Sequence, residues 1–294
     1  MEVTGIGALN LDELLFLPRM PKRDDSVPVE KRVRRGGGSA ANTVAWLAHM
    51  GRETAFVGAV GRDEAGELLI EDLKAYGVDV RGVVRKDGRS GVAFCLVAGG
   101  DRRILVDPGV NDDLGTGDVD VGLLESSEVV HASSFIGLRT EKPMRTLLYA
   151  MRKASAGGAT VTFSPGTMVL RGPGYLEPYL EVTDVLFLNA TEAEHLFGSV
   201  ERTIREVSSI VDVIVVTRGS EPALVHHDGD TLEVPPEPVP EGEIVDPTGA
   251  GDAFAAGFID GLLDGEDLET CCERGHEVAS LCLRVEGCRP EPRS

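Results

Sequence analysis

In the stretch IVDPTGAGDAFAAGF, residues 244 to 258, a single aspartate, Asp252, follows a Gly-Ala-Gly triplet and opens a run with helical spacing. Phe254, Phe258 and Leu262 recur at i, i+4 and i+8, which gives an expected helix over 252–264 one apolar side. Glycines let the backbone come close to a ligand there. The unpaired N–H groups of Ala250, Gly251 and Asp252 at a helix start would form an anion site, aided by the helix dipole. Such a site suits a phosphate. A carboxylate at the same spot repels a resting phosphate, so Asp252 makes sense mainly if it serves a second group, a hydroxyl about to attack that phosphate. Asp252 would then accept the hydroxyl's proton while Gly249, Ala250 and Gly251 form an anion hole for the transferring group. The plainer reading makes Asp252 an N-cap beside a tight turn that binds nothing, and GAGD alone does not choose between the two.

The elements that must position this turn alternate along the chain. Apolar runs read as strands at 3–10, 54–61, 127–133, 159–164, 184–189 and 212–217, with helical spacing at 39–50, 64–76, 141–156, 191–210, 252–264 and 267–284. That alternation predicts a mostly parallel sheet with helices on both faces, a class that binds ligands at the carboxyl ends of its strands. Residues 11–35 and 90–108 break the rhythm as alternating or hairpin strands without a helix, and could pair as a small separate sheet. The proline-rich 234–243 reads as an extended connection.

The length of 294 residues with 42% hydrophobic content suffices for one large α/β core, so residues 1–294 read as a single domain. A net charge of −20 predicts repulsion of nucleic acid and anionic membranes. The opening MEVTGIGALN lacks a basic and apolar leader, and no uninterrupted apolar run reaches the ~18 residues of a membrane span, so the expected location is cytoplasmic. Five cysteines without a C-x-x-C pair read as reduced core thiols. The absence of glutamine and the arginine bias, with the acidic balance, fit a hot or salty habitat, although base composition could produce the arginine bias alone.

DPTGAGDAFAAGF resembles the C-terminal signature of the ribokinase-like (PfkB) family of sugar and nucleoside kinases, and other landmarks follow the family's order over nearly the whole chain. The stretch from Gly7 to Pro21 is similar to the family's first strand, which implies that Asn10 and Asp12 hold substrate hydroxyls. GGGSAANTVAWLAHMG (36–51) resembles the first signature, implying a substrate pocket at Gly37, Gly38 and Asn42, and the next strand-turn-helix is matched through Gly61, Asp63 and Gly66. LFLNATEAE (186–194) resembles the N-x-x-E element, implying that Asn189 and Glu192 organise Mg²⁺ and phosphate through water. VVTRGSEPALV (215–225) resembles the nucleotide-facing turn, with Thr217 and Gly219. The resemblance implies an α/β three-layer sandwich with a mostly parallel central sheet and a small β lid formed by 11–35 and 90–108. It further implies ATP as phosphoryl donor, Mg²⁺, a monovalent cation, a free sugar such as ribose or fructose, or a nucleoside, as acceptor, and a homodimer through the lid.

The chain departs from the family pattern in three places. Pro222 replaces a glycine of the nucleotide turn, Ser164 stands where many sugar kinases have Asn or Asp, and Glu291 occupies a usually small polar position, which leaves potassium activation open. His131 ends a strand and could face substrate or be a satisfied strand-end histidine. Arg102 and Arg103 could contact a charged acceptor or remain on the surface, Trp46 and Met50 read as core, and His226 and His227 read as a solvated hairpin. GIGALN is not G-x-G-x-x-G, which disfavours an NAD-dependent oxidoreductase. A noncatalytic sugar sensor on the same fold is the rival from another class, and the joint presence of Asp252, Asn189 and Glu192 argues against it.

Overall fold

The computed structural model describes residues 1–99, 101–134 and 140–292; Gly100, inside the second rhythm-breaking segment, and the last two residues lie outside them. β1 (Val3–Ile6) leads into β2 (Asn10–Phe16), β3 (Lys31–Gly37), α1 (Ser39–Met50), β4 (Thr54–Gly61), α2 (Glu64–Ala75), β5 (Val83–Lys86), β6 (Gly91–Ala98) and β7 (Asp101–Asp107). Next come α3 (Val121–Glu125), β8 (Val129–Ser133), α4 (Lys142–Gly157), β9 (Thr160–Ser164), α5 (Pro173–Leu180), β10 (Val185–Asn189), α6 (Ala190–Phe197), α7 (Val200–Val207) and β11 (Val213–Arg218). The hairpin β12 (Glu221–His227) and β13 (Asp230–Val234), then α8 (Ala250–Leu263) and α9 (Leu268–Cys282), complete the order.

The larger sheet runs β13-β12-β11-β10-β9-β8-β1-β4-β5. It is parallel from β11 to β5, and β12 alone runs against the other strands, paired antiparallel with β11 and with β13. One face packs on Leu147 and Met151 of α4, Leu176 of α5, Ala193 of α6 and Ile204 of α7. The opposite face packs on Trp46 of α1, Leu69 of α2, Phe258 of α8 and Cys272 of α9. Helices on both faces of a parallel sheet are what buried apolar strands require. The two rhythm-breaking segments pair as the expected small sheet, in the order β3-β2-β6-β7.

Three boundaries differ from expectation. The run expected as one strand over 3–10 breaks at 7–9, where the chain turns from the large sheet into the small one and passes so close to Ser133 that a Cβ on Gly7 would lie 2.4 Å from its Oγ. Asn10 and Asp12 thereby open the small sheet. The helix expected over 191–210 divides at left-handed Gly198, after which Ser199 caps α7 by accepting from the Arg202 N–H at 3.2 Å. α8 begins at Ala250, with left-handed Gly249 as its N-cap, so Asp252 lies inside the first turn and is not the cap.

α8 and α9 approach closely because glycines line their contact: a Cβ on Gly257 would lie 2.3 Å from the Arg274 carbonyl oxygen. Arg52 adds charged ties from the other side, donating to Asp260 at 2.6 Å and to Asp264 at 2.7 Å. The obstacle at Gly257 is backbone, which cannot swing aside. We therefore expect Gly257→Ala to destabilise the fold by about 1–3 kcal/mol, the range for overpacking. Chemical denaturation checks this, and an unchanged midpoint would show that the two helices can separate freely.

Candidate active site

The turn before α8 is shaped by Asp246, whose carboxylate accepts the N–H of Thr248 at 2.9 Å and of Gly287 at 3.3 Å. Gly249 has φ 80°, and a Cβ there would lie 2.6 Å from Cys288 Cβ, so both conformation and space demand glycine. Of the three N–H groups expected to bind an anion, that of Ala250 reaches the Pro247 carbonyl at 3.4 Å. Those of Gly251 and Asp252 have no hydrogen-bond acceptor among the described residues.

The Asp252 carboxylate is occupied on both oxygens. Oδ1 accepts from Ser39 Oγ and Oδ2 from Asn42 Nδ2, each at 2.7 Å, while its main-chain carbonyl accepts from Thr43 Oγ1 at 3.2 Å. Burial raises the carboxyl pKa above its ordinary value, and the bonds from Asn42 and Ser39, together with the charge of Arg289, work against that rise. Ser39 was missed from sequence. Its signal lay in its position one turn before Asn42 and Thr43, on the same face of α1.

The N-x-x-E element is a reciprocal capping box at the start of α6. Asn189 Oδ1 accepts the Glu192 N–H at 2.9 Å, and Glu192 Oε2 accepts the Asn189 N–H at 3.1 Å. Glu192 Oε1 carries no hydrogen bond among the described residues, and burial raises the group's pKa. A cavity of about 180 Å³ joins Glu192 and Asn189 to Asp252, Gly251 and Thr217, with Ser39 and Ser164 on its wall. A larger cleft of about 1000 Å³ continues from the same residues past Gly219 and Ala250 to the apolar Phe254 and Leu283. Its size and its two orphan N–H donors fit a nucleoside triphosphate with the phosphates at α8 and the base at the apolar end. The carboxylate–carboxamide pair at its inner wall fits a hydrated divalent cation. Pro222 leaves this nucleotide turn intact, since its carbonyl accepts from Arg218 Nε at 2.6 Å.

Asn10 and Asp12 of β2 lie beside Gly37 and Gly38 at the end of β3, and none of the four lines either cavity. Asn10 Oδ1 accepts from Asn111 Nδ2 at 2.9 Å, and Asn111 also bonds both backbone groups of Leu9; it was a second residue missed from sequence. A Cβ on Gly37 would lie 2.3 Å from the Asp12 carboxyl, so only glycine fits beside that acid. Gly38 caps α1 with φ 108°. Burial pushes the Asp12 carboxyl from 3.8 up to about 6; Arg289 and Arg102 pull it down, and Asp252 and Asp246 push it further up. Asn42 faces Asp252 and also accepts from Arg289 Nε at 2.9 Å, so its amide is engaged at both ends.

Other sequence candidates fall elsewhere. His131 is fully buried, its Nδ1 paired with Thr162 Oγ1 at 2.8 Å, and burial lowers its pKa to about 3, so it is a neutral core histidine. Asp63 caps α2, accepting from the Gly66 N–H at 2.9 Å. Trp46 is core, with Nε1 donating to the Cys288 carbonyl at 2.9 Å. His226 pairs with Thr231 Oγ1 within the hairpin, and no cluster of metal-ligating residues occurs among the described residues. No described helix is long and apolar enough to cross a membrane.

Against known proteins, the model of the pfkB family carbohydrate kinases matches residues 3–293. The chain belongs to the pfkB family. It is 38% identical over 250 residues to an uncharacterized sugar kinase of Archaeoglobus fulgidus, covering 83% of this chain and 96% of that one. It is 33% identical to the ATP-dependent ribose-1-phosphate kinase of Halopiger xanaduensis, covering 99% and 95%. The Arabidopsis thaliana ribokinase solved with ribose and ATP superposes with a TM-score of 0.82 at 25% identity, over 97% of this chain and 93% of that one. The fold is therefore ribokinase-like and the protein is a pfkB-family sugar or nucleoside kinase, as the motifs implied.

For this pfkB kinase, Asp12 carries a stability cost. A carboxyl whose folded pKa lies above its unfolded value binds more protons in the native state, so it subtracts stability as pH rises from about 4 to about 6. Asp12→Asn removes that penalty, and we expect it to raise Tm at pH 7 but not at pH 4 while acceptor use collapses. A lowered Tm at pH 7 would mean that Asp12 is held by stabilising partners instead.

Proposed function

We propose that this kinase transfers the γ-phosphoryl group of ATP to an alcohol of a furanose acceptor, with Asp252 as the general base. The observation that carries the reading is the first turn of α8: a desolvated carboxylate held by two donors, beside two N–H groups without acceptors. The acceptor hydroxyl would give its proton to Asp252 as its oxygen bonds to phosphorus and the bond to the ADP oxygen breaks. The Gly251 and Asp252 N–H groups would receive the charge on the transferring group. Thr217 and Gly219 would face the nucleotide. A Mg²⁺ ion, held through water by Glu192 and Asn189, would neutralise phosphate charge. Asn10, Asp12, Gly37 and Gly38 would hold the acceptor, with Asn42 directed to Asp252.

The acceptor we favour is a ribosyl compound carrying a phosphate. The Halopiger relative's ribose 1-phosphate activity supports this class. So does Arg102, which the strand register puts on the same face of the small sheet as Asp12. Its guanidinium is half-buried and contacts only the Cys95 thiol, at 3.4 Å, with no carboxylate within salt-bridge distance among the described residues. A cation so placed calls for an anionic partner from outside. Ile104 and Leu105, more than half exposed on β7, support pairing of the small sheet with a second copy.

Assays with Mg·ATP and ribose 1-phosphate, ribose or adenosine test the reading. Asp252→Asn is expected to lower kcat by ~10²-fold or more with ATP affinity nearly intact, the loss typical of a missing general base; wild-type turnover in the variant would sink the assignment. Arg102→Met is expected to raise KM for ribose 1-phosphate by ~10-fold or more, since a charge-assisted bond contributes about 1.5–3 kcal/mol, and to raise KM for ribose much less. Equal effects on the two acceptors would remove the phosphate from that position.

A further inference from the structure

The segment after α9 contains a guanidinium that the chemistry above leaves without a task. Arg289 is only 8% exposed. Its Nε donates to Asn42 Oδ1 at 2.9 Å, its Nη2 to the Gly37 carbonyl at 3.3 Å, and its Nη1 to Asp72 of α2. The flanking backbone is pinned as well: Trp46 Nε1 reaches the Cys288 carbonyl at 2.9 Å and Tyr76 Oη the Pro290 carbonyl at 2.6 Å. Gly36 makes room for this arrangement, since a Cβ there would lie 2.7 Å from Arg289 Nη1 and 2.3 Å from Asp72 Oδ2. A buried arginine anchored on α1, α2 and β3 at once has little freedom.

The Asn42 amide accepts at Oδ1 and donates at Nδ2, whereas Arg289 can only donate and the ionised Asp252 can only accept. One orientation satisfies both neighbours. Turned over, the amide would place its oxygen against the Asp252 carboxylate and its NH₂ against the guanidinium, which loses two hydrogen bonds and opposes like charges. We propose that Arg289 is a positioning residue for phosphoryl transfer: by fixing the Asn42 amide from the side remote from the cleft, it holds the Asp252 carboxylate in the orientation that receives the acceptor's proton. Its charge also favours the ionised forms of Asp252 and Asp12 against burial, and its bond to Gly37 braces the backbone on which Asp12 rests. This rests on the reading of Asp252 as the base.

The test is a double-mutant cycle on kcat, with KM for ATP followed in parallel, using Mg·ATP with ribose 1-phosphate and with ribose. Arg289→Met and Asn42→Ala are each expected to lower kcat by ~10- to 10²-fold, the scale of a small misplacement of a catalytic group. KM for ATP should stay within about twofold, and the double variant should be no slower than the worse single one, as for residues acting through one contact. Arg289→Lys should recover little, because an ammonium lacks the planar fork. Independent multiplication of the two losses, or wild-type kcat in Arg289→Met, would overturn the proposal. Should Arg289→Met fail to fold, Asp72→Asn loosens the anchor at a side chain that is 31% exposed. Its several-fold loss of kcat should vanish in the Asn42→Ala background, and persistence there would overturn the proposal equally. Asp252→Asn separates the two failures: full turnover in that variant removes the base assignment itself, whereas lost turnover alongside an additive cycle removes only the role of Arg289.

Discussion

A carboxylate that, in the proposed reading, must stay ionised after losing most of its water is the constraint around which this molecule is arranged. Burial alone pushes Asp252 toward the protonated form, and a protonated acid cannot take a proton from an alcohol. The charge of Arg289 opposes that drift, and so do hydrogen-bond donors supplied by the protein. They come from α1 through Ser39 and Asn42, so α1 and α8 must meet at a fixed distance, and Thr43 ties the Asp252 carbonyl to the same helix. Glycine at 249 lets the turn reach that position against Cys288. Packing between elements more than 200 residues apart in sequence thus supplies the donors that work against the burial of one side chain.

The sheet explains why the remaining groups arrive at the same place. In a parallel sheet all carboxyl ends lie on one edge, and Ser133, Ser164, Asn189 and Thr217 stand at or near the ends of β8, β9, β10 and β11. The helices that follow turn their N-termini toward that edge, which supplies N–H groups for an anion. A net charge of −20 is therefore compatible with the proposed polyanionic nucleotide, since surface carboxylates beyond a Debye length of about 8 Å are screened at physiological salt and the N–H groups would act at contact.

Local pattern and distant contact divided what could be read from sequence. Strand and helix alternation, the small sheet and the GAGD turn were visible because they follow from periodicity and glycine placement within short windows. The position of Asp252 was misjudged by two residues, because a glycine N-cap at positive φ admits Ala250 and Gly251 into the helix, where composition suggests a loop. The need for glycine at position 7 comes from Ser133, more than 120 residues away, whose Oγ would lie 2.4 Å from a Cβ there, and no window covers that distance. Ser39, Asn111 and Arg289 escaped for the same reason: each is ordinary by type and acquires a role only from partners that the topology brings to it. His131 was open between substrate contact and a satisfied strand-end histidine, and the sheet decides for the second by burying it against Thr162.

Asp12 and Asp252 differ in a way that bears on order of events. Asp252 has its donors built in, whereas the Asp12 carboxylate accepts no hydrogen bond among the described residues and is pushed to about 6 by burial, with two neighbouring acids adding to the rise. A buried acid without donors is costly to the empty protein. In the proposed reading, the missing donors are the hydroxyls of the acceptor, whose arrival would favour the ionised Asp12 and relieve that cost. Acceptors lacking a hydroxyl at that point would leave the acid unpaired, so discrimination comes from what the empty pocket lacks as much as from what it offers. Asp252, as the proposed base, would need no such relief, because its geometry would already be set when the alcohol enters. Instability at one carboxylate and satisfaction at the other would thus correspond, in that reading, to two tasks, selecting the acceptor and activating it.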